Sequence, residues 1–178
     1  MYLAGGIPTL VSGFWVEVLR RTKGSVGIPY TVLGLTTLAV VWHAGSLSDR
    51  LGRRAVLGPS LVGTAAVTMV LGAGHSAALF VGLMAVLGAA SGYARPGPTS
   101  IVADVATSET RAVAVAGYRF AADLGALVAP IVVGVVAQYV GYGAAFVALG
   151  ALPILAAIAI GAARETAPGR ARSEPAQA

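Results

Sequence analysis

Charge is what this chain has least of. Of 178 residues, 12 are Lys or Arg and 7 are Asp or Glu, 11% in all, where a soluble domain carries about 25%. So few charges cannot cover a water-facing surface. Cysteine is absent, which excludes disulfides and thiolate metal sites. There are only two histidines, His43 and His75, and neither has a carboxylate neighbour at ligand spacing. A phosphate-binding glycine-lysine loop is missing, so nucleotide-driven work is not expected. No Ser/His/Asp arrangement can be assembled either. Neither an enzyme, a metal site nor a bound cofactor is expected.

What is present is apolar. Hydrophobic residues make up 57% and mean hydropathy is +0.82, the composition of a polytopic membrane protein. The net charge of +5 could suggest nucleic acid, but the basic residues sit in connectors and a tail rather than along one face. They are topology signals, and no nucleic-acid partner is expected.

Charge-free runs count the spans. A helix needs about 20 apolar residues to cross roughly 30 Å of hydrocarbon. Residues 55–94 hold no Asp, Glu, Lys or Arg and carry a turn signal, Gly72-Ala73-Gly74-His75-Ser76, at their middle. They predict a hairpin of two spans. Residues 124–163 are likewise uncharged and are divided by Gly141-Tyr142-Gly143, which predicts a second hairpin. The expected spans are about 1–16, 25–44, 55–73, 76–98, 116–140 and 143–163, making residues 1–163 a transmembrane bundle. The first is short. No Lys or Arg precedes Glu17, against the positive start of a signal peptide, so it reads as a helix lacking its first turns. Residues 164–178 are polar and Pro-containing, and are expected to be a disordered cytoplasmic tail.

Lys and Arg positions set the sidedness. With the connector Gly45–Arg54 inside, nine basic residues (Arg50, Arg53, Arg54, Arg95, Arg111, Arg119, Arg164, Arg170, Arg172) fall at the inner face and three (Arg20, Arg21, Lys23) outside, as the positive-inside rule asks. Each span also holds proline: Pro8, Pro29, Pro59, Pro96 with Pro98, Pro130 and Pro153. Interior prolines kink helices, which membrane bundles tolerate. Gly88 and Gly92 form a GxxxG pair, expected to serve close helix packing rather than a dedicated dimer face.

The connector reads GSLSDRLGRR. Its spelling, G-x-L-x-D-R-x-G-R-R, resembles the signature loop between the second and third helices of each half of major facilitator superfamily transporters, matching at Gly45, Leu47, Asp49, Arg50, Gly52, Arg53 and Arg54. A second region is similar to the same family: Asp104, Glu109 and Arg111, then Gly125, Pro130 and Gly134. The resemblance implies an all-α polytopic bundle, half of that fold, with five complete transmembrane helices plus a truncated first one. The YRFAADLG stretch and the chain end resemble the C-terminal half. Gly125 to Pro130 approximates the antiporter motif G-x-x-x-G-P-x-x-G-G, departing from it at Ala129 and Val133.

By resemblance the connector would act as a conformational latch. Asp49 would face a helix N-terminus in the other half, the three arginines would hold the network and meet anionic headgroups, and Gly45 with Gly52 would shape a tight turn. Arg119 and Asp123, four apart, are expected to pair on one helix face near the inner boundary. The implied function is a secondary transporter of small molecules or drugs in the plasma membrane, its C-terminus cytoplasmic, its partners lipid, substrate and the missing half or a second copy. A non-transporting scaffold, a decayed gene fragment and a homodimeric half-transporter stay open. Thr9, Ser12, Trp15, Tyr30, Thr36, Thr37, Ser60, Thr64, Ser91, Tyr93, Tyr118 and Gln138 are candidate cavity residues, and no substrate contact can be fixed among them.

Overall fold

Backbone N–H and C=O groups in hydrocarbon must be satisfied within their own segment, which favours helices wherever the chain is apolar. The computed structural model describes residues 5–95 and 109–162, the side chains of 53, 54 and 160–162 excepted. Among the described residues every regular element is helical. Helix α1 spans Ile7–Gly13 and runs on into a π-turn, Phe14–Val18. A 3₁₀ turn, Lys23–Val26, leads to α2, Gly27–Leu51. Then follow α3, Arg53–Leu71; α4, Ala77–Ala94; α5, Arg111–Tyr139; and α6, Tyr142–Ala162.

Four of these are long and apolar enough to cross a membrane: α2 with its leading turn, α4, α5 and α6. The apolar part of α3, Ala55–Leu71, is shorter, although all 19 residues of the helix cover roughly 28 Å. Helix α5 has 29 residues and so reaches roughly 43 Å, longer than hydrocarbon is thick. It begins at Arg111, ahead of the expected 116. Trp42, 89% exposed, lies in the C-terminal half of α2, and Tyr139, 80% exposed, is the last residue of α5, where an amphipathic ring suits the headgroup level.

Local signals explain the breaks. The Ser76 hydroxyl caps α4 by accepting from the Leu79 N–H at 3.2 Å, satisfying one otherwise orphaned donor. Gly141 separates α5 from α6 at φ 108°, a conformation open to glycine. Two of the expected kinks do not form. Pro8 lies in the first turn of α1 and Pro29 in the first turn of α2, where no N–H is needed. Pro59, Pro130 and Pro153 are interior. Pro96 and Pro98 lie outside the described residues, as do Asp104 and the tail 164–178.

Helix α2 packs chiefly on α4 and α3 on α6, with α3 also against α4, while α1 leans on α5 and α6. Lipid tails are as apolar as leucine, so close fit rather than water exclusion draws these helices together. Gly88 and Gly92 provide that fit. A Cβ on Gly88 would strike the Thr36 hydroxyl and the Leu33 carbonyl of α2, and one on Gly92 would strike Val40. The close approach lets the Thr37 hydroxyl donate across the interface to the Gly88 carbonyl at 3.0 Å. The GxxxG pair is thus an internal packing surface. Aromatic rings sit within the buried core: Phe14 stacks on Phe80 at 5.3 Å and meets Phe146 edge-on at 5.5 Å, tying the π-turn after α1 to α4 and α6.

Candidate functional site

Two polar regions interrupt the apolar bundle, one at each end. At the basic end the expected loop is nearly absent. Helix α2 continues through Gly45, Leu47, Asp49 and Arg50 to Leu51, and α3 starts at Arg53. One residue, Gly52, makes the break, at φ 93° and ψ 141°. That region of backbone space is essentially restricted to glycine. Gly45, expected to shape a turn, is instead a helical residue with no neighbour that a Cβ would touch. The hydrogen-bonding capacity of a continued helix outweighs the turn propensity of an isolated glycine flanked by Ala44 and Ser46.

Asp49 and Arg50 both sit exposed in the last turn of α2. Arg50 there complements the negative end of the helix dipole, an effect of about 0.3–1 kcal/mol, and Asp49 opposes it by a similar amount. Asp49 is therefore placed against the local preference of its own helix. Leu47 is half-buried and Ser48 buried, so one face of this turn packs while the charged face stays open. Of Arg53 and Arg54, only the backbone belongs to the described part.

One and a half turns back, His43 Nδ1 and the Tyr93 hydroxyl lie 3.1 Å apart with their rings edge to face. This pair links α2 to α4 and gives His43 a partner that sequence spacing could not reveal. Arg119 and Asp123 stand one turn apart on exposed surface of α5. Counted from Tyr139, Asp123 is roughly 24 Å and Arg119 roughly 30 Å along the helix, so both lie in its N-terminal half.

At the opposite end α1, α5 and α6 enclose a cleft of about 400 Å³ lined by Thr9, Leu10, Glu17, Gly134, Ala137, Gln138 and Tyr142. The π-turn builds it. The Leu19 N–H bonds back to the Phe14 carbonyl at 3.0 Å and the Arg21 N–H to Trp15 at 3.1 Å, so the chain is wider here than an α-helix and Glu17 is re-aimed. Such bulges are frequent at functional sites. Gly13 is needed beside it, because a Cβ would collide with the Tyr142 hydroxyl. That hydroxyl lies within interaction range of the Glu17 carboxylate, and the Tyr142 ring packs edge-on against Phe14 at 5.9 Å. A second hollow of about 300 Å³, between α5 and α6, is lined by aliphatic and small residues from Gly125 to Leu152.

Most hydroxyls considered as cavity candidates are occupied locally. Ser12 donates to the Pro8 carbonyl, Thr36 to Val32 at 2.9 Å, Ser60 to Leu57 at 2.9 Å, Thr64 to Ser60 at 2.7 Å and Ser91 to Gly88 at 3.1 Å. Tyr30 donates to the Pro8 carbonyl at 2.7 Å and Trp15 Nε1 to Ser25 at 2.9 Å, joining α1 to the start of α2. Thr9 and Gln138 do line a cleft. Sequence reading missed Glu17 and Tyr142 as its companions. Glu17 was read only as a flanking charge, and nothing in its local sequence signals the π-turn.

The family model described as Major Facilitator Superfamily matches residues 1–178. The chain is 34% identical over 125 residues to the multidrug efflux pump LfrA of Mycolicibacterium smegmatis, covering 70% of this chain and 24% of that protein. It is 24% identical over 158 residues to the quinolone resistance protein NorA of Staphylococcus aureus strain MRSA252, covering 89% of this chain and 40% of that protein. The chain thus spans well under half the length of these curated relatives.

Proposed function

This chain belongs to the major facilitator superfamily, and on that footing we propose that it is one six-helix half of a secondary transporter that exports drug-like small molecules. It works in the plasma membrane as a multi-pass protein with its C-terminus in the cytoplasm. The other half, or a second copy of the chain, completes the transport path. The YRFAADLG stretch on α5 favours the C-terminal half. The relatives named for multidrug efflux and quinolone resistance support a drug-type solute rather than a sugar phosphate, and they support transport rather than enzymatic turnover.

One observation carries this reading: the family's signature residues fold as a single-residue break between two long helices, with a carboxylate held where its own helix does not favour it. A charge placed so gains when a helix N-terminus, with its positive dipole end, approaches from another body. Asp49 is then a latch that stabilises one side of the inward–outward equilibrium. Arg50, Arg53 and Arg54 hold the latch and meet anionic lipid at about 1 kcal/mol each. The exposed apolar faces of α2 and α5 suit burial against lipid and a second body.

The test is substrate flux into vesicles, normalised to protein amount, in the assembled transporter. Asp49→Asn should insert normally yet lose about tenfold in flux, because a charge–dipole contribution of roughly 1–2 kcal/mol shifts a two-state balance by that order. Arg53→Ala should behave alike, and Arg172→Ala should leave flux unchanged. Full flux in Asp49→Asn removes the latch and leaves the connector as a topology signal. A homodimeric half-transporter is separated by cross-linking: it requires a cross-linked pair of this chain alone that transports.

A further inference from the structure

We propose that the connector between α1 and α2 is a binding surface for the headgroup of an anionic phospholipid. Arg20, Arg21 and Lys23 are all exposed there, at the opposite end of α2 from the Gly52 break. None of them forms an ion pair with a described residue. The nearest carboxylate in sequence, Glu17, interacts with the Tyr142 hydroxyl, and three bases against one acid leave the segment net positive by two. Bases at both ends of one span weaken the sidedness signal, so topology does not account for the trio. An anion at the membrane surface does.

The connector is held in shape. Arg20 is the one described non-glycine residue with positive φ, at 53°, a conformation that L-residues seldom adopt. Backbone bonds on either side fix it, from the Leu19 N–H to the Phe14 carbonyl at 3.0 Å and from the Arg21 N–H to the Trp15 carbonyl at 3.1 Å. The buried Trp15 indole donates to the Ser25 hydroxyl at 2.9 Å, and Ser25 donates to the Thr22 carbonyl at 2.8 Å. The three bases thus stand on a backbone anchored to the core, and little chain entropy is lost when a ligand binds.

Depth identifies the ligand. The apolar span that contains α2 opens at Lys23, which puts the connector where hydrocarbon gives way to headgroups. Val18, 46% exposed, and Ile28, 53% exposed, flank the bases and suit acyl chains, while the bases suit phosphate. A soluble phosphate meets only the second requirement. A zwitterionic headgroup offsets its phosphate with its own ammonium. The surface lies within this chain, so its occupancy does not depend on the transport reading above.

The experiment is quenching of indole emission, for the full chain in phosphatidylcholine nanodiscs, by phospholipids with brominated acyl chains. The chain has two tryptophans, so a Trp42→Phe background leaves Trp15, bonded to the connector through Ser25, to report the lipid beside it. Brominated phosphatidylglycerol should quench at a lower mole fraction than brominated phosphatidylcholine. The expected preference is on the order of tenfold or more, from about fivefold per base. Arg20→Gln/Arg21→Gln/Lys23→Gln should bring it near one, as should molar salt. The same loss of charge in the tail, Arg164→Gln/Arg170→Gln/Arg172→Gln, should leave it unchanged. Equal quenching by the two lipids, a preference retained in the connector variant, or one lost equally in the tail variant overturns the proposal. So does reversal of the quenching by excess sn-glycerol 3-phosphate, which identifies a free phosphate as the ligand. Should the triple connector variant lose helical circular dichroism, Arg21→Gln/Lys23→Gln, which leaves Arg20 in place, decides by the same comparison.

Discussion

In α4, Gly88 and Gly92 lie so close to α2 that a methyl group on either would meet Thr36, Leu33 or Val40. In α5, Gly117 and Gly134 have nothing within 4 Å of where a Cβ would stand, and among its described residues only Val133 is buried. Both helices are rich in small and aliphatic residues, and by composition alone they would be assigned the same role. Helix α4 uses Gly88 and Gly92 to bring two backbones together within the bundle. Helix α5 keeps Gly117 on open surface, along with Val113, Phe120, Leu127 and Ile131, all strongly exposed. A small-residue pattern is therefore permission for close approach, and a partner at the right depth is required before it is used.

Substitutions at the two sets of glycines sharpen or break this contrast. The largest effect is expected for Gly88→Ala. Its new methyl meets backbone at Leu33, which cannot swing aside, and it also displaces the carbonyl that accepts from Thr37. A loss of roughly 2–3 kcal/mol, the upper part of the overpacking range, should appear as a lowered midpoint in detergent unfolding. Gly92→Ala should lose less, about 1 kcal/mol, because its nearest obstacle is the end of the Val40 side chain.

Gly52→Ala falls between these two at the same assay. At φ 93° and ψ 141° an L-residue is strained by about 1–2 kcal/mol, and the helix break should be shifted or loosened. Unchanged stability there implies that the α2–α3 junction has another conformation of equal energy.

The smallest effect on bundle stability is expected for Gly117→Ala, within about 0.5 kcal/mol of the parent or slightly more stable, since alanine is the better helix former. The same substitution sharpens the comparison if flux is measured alongside. Lost flux with unchanged stability shows that α5 meets a second body at Gly117. Unchanged flux leaves this face to lipid.

Much of the architecture was legible in the sequence because helix formation in hydrocarbon is a local requirement. Charge-free runs, the turn from Gly72 to Ser76 and Gly141 between α5 and α6 could all be seen without tertiary information. The turn at Gly45 was misjudged because glycine reads as a breaker in isolation, whereas a helix already propagating from Gly27 passes through it at small cost. Kinks at Pro8 and Pro29 were misjudged because the helices start just before them. The candidate cleft was half legible. Thr9 and Gln138 were recognisable as polar residues in apolar surroundings, but Glu17 and Tyr142 belong to it only because the π-turn and the α1–α6 contact bring them together.

The sequence by itself determined the class of molecule and its family, and it confined the break between α2 and α3 to the connector Gly45–Arg54 without choosing Gly52 within it. These follow from composition and from backbone hydrogen bonding that closes within each segment. Only the tertiary structure decided which small-residue face would be buried, which hydroxyls would be consumed by their own helices, and which carboxylate would find an aromatic partner. Those outcomes depend on pairing between helices distant in sequence. Several surfaces here satisfy the same packing rule, and only their simultaneous fit selects α2 against α4 and α3 against α6.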